Sequence, residues 1–128
     1  MTRKVIATEN APAAVGAYSQ AIRGNNLVFV SGQLGMVPET KAFAGDTVTA
    51  QTGQALKNMA AILEEAGTNM AHVVKVTVLL ADIATFKEMN DVYSTFFPHN
   101  PPARAAFAVK DLPLGGLVEI EAIAVMPD

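Results

Sequence analysis

Three strand-like segments of this chain are apolar on both of the faces that a strand presents. They lie at residues 27–30, 73–80 and 120–125. Successive side chains of a strand point to opposite faces of a sheet, so both faces of such a sheet need apolar cover. A chain of 128 residues has few further elements to supply it, and another copy of the chain is the simplest source. The sequence therefore predicts an obligate homo-oligomer with sites at or near subunit interfaces.

Two helices are predicted between the strands. The first is expected to begin at a cap on Asp46 or Thr47 and to end near Ala66, because apolar residues recur at helical spacing and Gly67 follows as a stop. The second is expected to begin at a cap on Asp82. Its apolar stripe consists of Ile83, Phe86, Met89, Tyr93, Phe96 and Phe97.

The predicted elements follow the order strand, β-hairpin, helix, strand, helix, strand, strand. The hairpin turns at residues 24–26, since Gly and Asn tolerate the positive φ of a tight turn. Residues 35–45 are expected to form a loop with a small turn of its own. This order predicts one α+β domain over residues 1–128, with both helices packed on one face of a mixed sheet.

Composition argues against several classes of protein. Nine basic and twelve acidic side chains give a net charge of -3 without an extended run of Lys or Arg, so a nucleic-acid partner is not expected. The chain has no cysteine, and its two histidines, His72 and His99, lie far apart, so no metal site is expected. The apolar run near the N-terminus is too short for a signal peptide or a membrane span, and a cytoplasmic location is expected.

One arginine stands where a strand opens after a rigid double proline. Arg104 lies two residues after Pro102, the second of two consecutive prolines, so its guanidinium is expected to be held on stiff backbone. The planar fork of N–H donors suits a bidentate grip on a carboxylate. Glu119 and Glu121 supply the opposite charge within another apolar strand. These residues alone permit two interpretations, a structural salt bridge or a site that binds a small carboxylate.

Three further positions combine small or polar groups with an apolar setting. Ser31 and Gly32 lie at the end of a buried strand, where the approach of a ligand would need a small residue. Alternation places Ser31 and Gln33 on one face of this strand and Gly32 on the other. Asn90 falls on the apolar stripe of the second helix, so its amide either ties down a neighbouring loop or lines a pocket.

Five segments together resemble the RidA family of reactive-intermediate deaminases, also called the YjgF type. They lie, in order and over nearly the full chain, at residues 7–12, 16–20, 30–33, 100–104 and 119–124. The resemblance implies a chorismate-mutase-like fold assembled as a homotrimer with clefts between subunits. It also implies a cofactor-free enzyme that hydrolyses 2-imino acids and their enamine tautomers, such as 2-iminobutanoate and 2-iminopropanoate, to 2-keto acids and ammonia. Dehydratases that act on threonine or serine with pyridoxal phosphate release such substrates.

The resemblance also implies roles for individual residues. Arg104 resembles the arginine that binds the substrate carboxylate, and Glu119 resembles the acid that positions and deprotonates the attacking water. Strand alternation alone does not separate Glu119 from Glu121, because both lie on one face. The positions expected to line the substrate cleft are Tyr18, Ser31, Gly32 and Asn90.

The chain departs from many relatives at two places. Ala105 and Ala106 stand where serine and cysteine are common, which predicts an altered substrate preference or rate. Lys41 stands where a turn glycine is common, which predicts a differently shaped loop. Neither change touches Arg104 or Glu119.

Two other functions stay open at the level of sequence. One is a non-catalytic trimer whose Arg104 clefts bind small carboxylates, such as keto acids, for sensing or regulation. The other is the ribonuclease or translation-inhibitor activity attached to some relatives, against which the acidic balance counts.

Overall fold

The computed structural model of the protein describes residues 3–128, in which two helices lie on one face of a six-stranded sheet. The strands are β1 (Arg3–Ile6), β2 (Ala21–Gly24), β3 (Leu27–Leu34), β4 (Met36–Val37), β5 (Ala42–Phe43), β6 (Val73–Leu80), β7 (Ala103–Ala108) and β8 (Val118–Val125). The helices are α1 (Val48–Ala66) and α2 (Phe86–Phe96). The predicted α+β class, with both helices on one face of a mixed sheet, is confirmed.

The sheet runs in the order β1-β2-β3-β8-β6-β7, so β8 lies in its interior and β7 lies at one edge. Neighbouring strands are antiparallel except β6 and β7, which pair in parallel and place Val76 beside Arg104. Parallel neighbours need a crossover connection, and α2 lies in that connection. The short strands β4 and β5 form a separate two-stranded ribbon between β3 and α1.

Helix α1 begins and ends where its capping residues predict. The Thr47 side chain accepts a hydrogen bond from the N–H of Ala50 at 3.2 Å, so Thr47 rather than Asp46 is the cap. At the other end Gly67 takes a left-handed φ of 92° and donates its N–H to the carbonyl of Glu64 at 3.1 Å. A residue with a Cβ would be strained at this position, which is why the helix stops there.

The core lies between the helices and one face of the sheet. Its fully buried side chains include Leu56, Met59, Ile62, Val28, Val76, Val78 and Ile120. On the opposite face, Phe29 of β3 and Phe107 of β7 are 45% and 48% exposed within the single chain. Large apolar side chains on an uncovered sheet face are the feature from which the sequence predicts a second copy of the chain.

The predicted start of the second helix is wrong. The carboxylate of Asp82 accepts a hydrogen bond from the N–H of Ala84 at 2.9 Å, but it caps a short 3-10 turn at Ile83–Thr85. Helix α2 begins only at Phe86, and Thr85 before it makes no side-chain cap. An Asx cap starts either kind of turn, so the residue type did not distinguish them.

Simple alternation is also wrong for the end of β3. Val30 pairs with Ala122 and Gln33 pairs with Ile120, so β3 has one residue more than β8 over this stretch. The extra residue forms a β-bulge. Gln33 therefore shares the buried face with Val30, and it is only 5% exposed, whereas alternation assigns it to the face of Ser31.

The ribbon of β4 and β5 turns at Lys41, which adopts a left-handed φ of 60°. Its N–H donates to the carbonyl of Val37 at 2.8 Å. A non-glycine residue in this region pays roughly 1 kcal/mol in steric strain. Lys41 thus takes the conformation that a turn glycine would take.

Two kinds of feature are absent from the part of the chain that the structure describes. No helix between residues 3 and 128 is long and apolar enough to cross a bilayer. Within the same residues, no group of three or more His, Asp or Glu side chains is arranged to hold a metal ion.

Candidate active site

Glu119 lies on the interior strand β8 and points away from the helices. Its neighbours Val118 and Ile120 are fully buried in the core, so alternation puts Glu119 on the opposite face. There it lines a cleft of about 490 Å³ together with Tyr18 and Gly32. Three of the residues predicted for the site therefore meet at one place.

Gly32, which lies in the bulged part of β3, leaves room for the Glu119 carboxylate because it has no side chain. A Cβ added at Gly32 would lie 2.8 Å from Cδ of Glu119, and closer still to its Oε2. Real Cβ atoms essentially never approach other atoms so closely, so only glycine fits here without displacing the carboxylate. The position of the Glu119 side chain therefore requires a glycine at residue 32.

Burial raises the pKa of the Glu119 carboxyl above its usual value, and the carboxylate of Glu121 on the same face raises it further. A carboxylate with a raised pKa is a stronger base than an ordinary one. Glu121 is exposed and does not line the cleft. The structure therefore distinguishes the two acids, which alternation alone left equivalent.

Tyr18 lines the cleft beside Glu119, and Ser31 supports the loop that carries Tyr18. Tyr18 is 53% exposed, and its hydroxyl oxygen accepts a hydrogen bond from the N–H of Val15 at 3.3 Å. The Ser31 hydroxyl donates to the carbonyl of Ser19 at 2.5 Å. Ser31 therefore ties the Tyr18 loop to β3, and its side chain is not among those that line the cleft.

Gln20 is a buried residue whose side chain anchors the segment before Tyr18. Its side chain is 4% exposed, and it accepts the N–H of Thr8 at 2.7 Å while donating to the carbonyl of Pro12 at 2.7 Å. These bonds hold the segment before Tyr18 against the sheet, where Pro12 and Ala13 form part of the cleft wall. In the sequence, only the position of Gln20 directly before the first residue of β2 indicates such a role, and this signal is weak.

Arg104 lies on the edge strand β7 and faces the helices. Its Nη1 donates a hydrogen bond to Oδ1 of Asn90 on α2 at 2.7 Å. Its guanidinium carbon also lies 4.7 Å from the ring centre of Tyr93 and 5.3 Å from that of Phe86. These contacts orient an otherwise exposed cation, since an aromatic face attracts a guanidinium. Asn90 thus contacts the arginine directly and lines the same cleft. Of the two interpretations of its amide, this agrees with the one in which it lines a pocket.

A second cleft, of about 410 Å³, surrounds this arginine. The residues that line it are Asn90, Tyr93, Ser94, Phe97, Pro101, Pro102 and Arg104. Burial raises the pKa of the Tyr93 hydroxyl, while the positive charge of Arg104 acts in the opposite direction. The hydroxyl has no hydrogen-bond partner among the described residues.

Arg104 and Glu119 are far apart within one chain. Arg104 pairs with Val76, which in turn pairs with Ala122, whereas Glu119 pairs with Leu79. The two residues are therefore two strands and three residues apart, which corresponds to about 14 Å between their backbones. Their side chains also point to opposite faces of the sheet. No small substrate can contact both in a single chain.

The same separation excludes one of the interpretations drawn from the sequence. Among residues 3–128 the ion pair within 4.0 Å joins Lys87 and Asp91, both on α2. Arg104 and Glu119 do not form a structural salt bridge within the chain. Each side chain instead lines a cleft of its own, where its charged group can contact a ligand.

Comparison with known proteins identifies the family. The model of the family described as Endoribonuclease L-PSP matches residues 8–126. The chain belongs to this family. The membership of the RidA group, which the sequence motifs predict, is confirmed by the same match and by the relatives below.

Relatives of high similarity bear deaminase names. A rat protein named 2-iminobutanoate/2-iminopropanoate deaminase is 52% identical over 96% of this chain and 90% of its own length. A human protein of the same name is 46% identical over 98% of this chain and 91% of its own length. The Arabidopsis thaliana protein named Reactive Intermediate Deaminase A, chloroplastic, is 51% identical over 97% of this chain, which spans 66% of that relative.

Solved structures of relatives share the fold. RidA from the Antarctic bacterium Psychrobacter sp. PAMC 21119 is 45% identical and superposes with a TM-score of 0.93, covering 96% of this chain and 99% of that one. Escherichia coli TdcF with bound serine is 36% identical with a TM-score of 0.93, covering 97% and 99%. The predicted fold class is that of the family's known structures.

Proposed function

We propose that this protein hydrolyses reactive 2-imino acids and their enamine tautomers, including 2-iminobutanoate and 2-iminopropanoate, to 2-keto acids and ammonia without a cofactor. Relatives at 46–52% identity are named for this reaction. The observation that carries the proposal is the partly buried Glu119 carboxylate, whose raised pKa and apolar cleft suit a general base. Arg104 supplies the complementary cation for a substrate carboxylate.

The reaction requires the protein mainly to position the substrate, a water and a base. A protonated imine is already electrophilic at C2 and carries its own carboxylate, so it needs a water and a base held beside it. Asn90 occupies Nη1 of Arg104 from one side, which leaves other guanidinium N–H groups for the substrate carboxylate. Tyr18 and Gly32 border the space in which C2 lies next to Glu119.

In the proposed sequence of steps an enamine first takes a proton from solvent on its carbon, which gives the protonated imine. Glu119 takes a proton from water while the water oxygen bonds to C2, which gives a neutral carbinolamine. Glu119 then protonates the nitrogen and accepts the hydroxyl proton as the C–N bond breaks. Glu119 passes this proton to the departing ammonia, so the products are the keto acid and an ammonium ion, and the carboxylate is regenerated. One carboxylate thus serves first as base and then as acid.

We also propose that the working unit is a homotrimer in which Arg104 of one chain meets Glu119 of the next. The two side chains lie on opposite faces of one sheet, so two copies are needed to bring them to one substrate. The exposed Phe29 and Phe107 supply apolar surface for such an assembly. On this arrangement every active site is built from two subunits.

Two alternatives are decided by experiment. E. coli TdcF is described with bound serine, so a small-carboxylate-binding trimer without catalysis is the first. The family description names an endoribonuclease, so RNA cleavage is the second, although this chain has a net charge of -3. A cytoplasmic location stays a prediction, and one relative is named chloroplastic.

The decisive assay couples the protein to a threonine dehydratase in a buffer low in free amines and follows loss of the imine and formation of 2-ketobutyrate. We expect acceleration by the wild type and a loss of about 10²-fold or more in Arg104→Ala. Light scattering on both proteins checks that the assembly is intact. Binding of keto acids without acceleration would instead support the carboxylate-binding trimer, and salt-sensitive RNA cleavage would support the ribonuclease.

A further inference from the structure

Leu114 is an exposed leucine in a backbone conformation that leucine rarely adopts. Its side chain is 75% exposed, and its φ and ψ are 59° and 19°. The left-handed region favours glycine and asparagine, and an apolar side chain gains nothing from contact with water. Neither the backbone nor packing within the chain accounts for leucine here. Such an outlier directs attention to what the side chain contacts outside the chain.

The loop that carries Leu114 is fixed at its C-terminal side. The N–H of Gly116 donates to the carbonyl of Pro113 at 3.0 Å, and the N–H of Leu117 donates to Oε1 of the buried Gln51 at 2.9 Å. A Cβ at Gly116 would lie 2.9 Å from Cδ2 of Leu34, so the loop packs closely on β3. Leu114 is therefore presented from a fixed backbone.

Leu114 lines two adjoining cavities. The first is the Glu119 cleft, where Glu119 is the one charged residue among those that form the lining. The second has a volume of about 410 Å³. The two cavities share the lining residues Pro12, Ala13, Val15, Met36 and Leu114. These shared residues are all apolar, so an apolar surface leads from the Glu119 cleft past Leu114 into the second cavity, whose further lining includes the charged Glu9 and Lys41.

We propose that Leu114 is a specificity-determining residue that contacts the apolar side chain of the substrate and favours 2-imino acids with extended aliphatic or thioether side chains. This inference rests on the proposed function. The trigonal C2 of the substrate bears a carboxylate, a nitrogen and a side chain. When Arg104 binds the carboxylate and Glu119 holds the water, the apolar lining that the two cavities share, which includes Met36 and Leu114, is the part of the wall that suits the side chain.

The test compares imines generated in place by an L-amino-acid oxidase from alanine, 2-aminobutyrate, leucine and methionine, with catalase present to remove peroxide. Hydrolysis is measured by competition with semicarbazide trapping. The quantity compared is the ratio of kcat/KM for the leucine-derived imine to that for the alanine-derived imine. Leu114→Asn removes apolar contact but suits the left-handed backbone, and Leu114→Met keeps an apolar side chain, so the two form a matched pair.

We expect Leu114→Asn to lower this ratio by roughly tenfold, and Leu114→Met to change it by no more than about twofold. Asparagine relieves the backbone strain, so the melting temperature should not fall and unfolding cannot mimic the result. An unchanged ratio in Leu114→Asn, or an equal loss on all imines together with dissociation of the oligomer, would overturn the inference while the deaminase survives. A wild type that hydrolyses none of the four imines would overturn both.

Discussion

The clefts around Arg104 and Glu119 hold opposite charges by different physical means. Arg104 lies on an edge strand and is held by side chains, namely the amide of Asn90 and the rings of Tyr93 and Phe86. Glu119 lies on an interior strand, where burial raises its pKa and the absence of a side chain at Gly32 leaves space for its carboxylate. One region orients the guanidinium of Arg104, and the other raises the pKa of the Glu119 carboxyl. Binding an anion needs the first, and moving a proton needs the second.

The largest effect is expected when the carboxylate of Glu119 is replaced by an uncharged group of the same shape. Glu119→Gln should lower kcat by about 10² to 10⁴, since general acid–base catalysis contributes that much. Glu121→Gln is the matched control, because Glu121 lies on the same face but outside the cleft, and it should stay within a few-fold of wild type. Equal losses in the two variants, measured in the dehydratase-coupled assay, would contradict the assignment of the base.

The next largest effect is expected from the backbone that makes room for Glu119. Gly32→Ala should lower kcat by about 10², because its Cβ displaces the carboxylate and misplacement by about 1 Å is costly. Gly53→Ala is the matched change in α1, where a Cβ would meet only Val92 at 3.8 Å. It should raise the free energy of unfolding by about 1 kcal/mol. Full activity in Gly32→Ala would show that the acid does not depend on this space.

A smaller effect is expected where side chains do the positioning. Asn90→Ala removes the hydrogen bond to Nη1 of Arg104 and should raise KM by roughly tenfold with little change in kcat, since it loosens a binding group. Ser94→Ala is the control, because its hydroxyl lies in the same cleft but bonds within α2 to the carbonyl of Asp91. Steady-state kinetics that give the same KM for both variants would remove Asn90 from the anion site.

The smallest effect concerns stability and follows from the sign of the pKa shift. Burial raises the pKa of Glu119 in the folded protein, so the folded state favours the protonated form and this carboxyl's contribution to stability is lost as pH rises through that pKa. Glu119→Gln is neutral at every pH. It should therefore melt above wild type at pH 8, with the difference closing as pH falls to about 4. A variant that melts below wild type at pH 8 would mean that the ionised acid is stabilised in the assembly.

Local sequence signals predicted the parts of the fold that local chemistry determines. Helix α1 has the expected bounds because Thr47 and Gly67 satisfy its free backbone groups. The bulge in β3 was not predictable in this way, since it depends on pairing with β8, which lies about 90 residues away along the chain. Alternation likewise says which residues share a face but not which face meets the helices, so the separation of Arg104 from Glu119 required the strand order.

The site residues likewise divide into those that local sequence predicts and those that depend on the folded sheet. The residue types and the rigid approach to Arg104 indicated an anion-binding arginine, and its partners on α2 are consistent with that role. Glu119 and Glu121 became distinguishable only through burial, which is a property of the folded sheet. The structural role of Gln20 was not predictable, because its side chain bonds to the backbone of Thr8 and Pro12 and no sequence spacing indicates such a contact.

The most direct test of the account is whether one active site takes Arg104 and Glu119 from different chains. Arg104→Ala and Glu119→Gln chains, each inactive alone, are co-expressed with different affinity tags, and mixed trimers are isolated by both tags in turn. A mixed trimer of either composition has one of its three interfaces with both residues intact, so we predict about one third of wild-type activity. Mixed trimers, verified by native mass spectrometry, that are no more active than the separate variants would contradict the shared site.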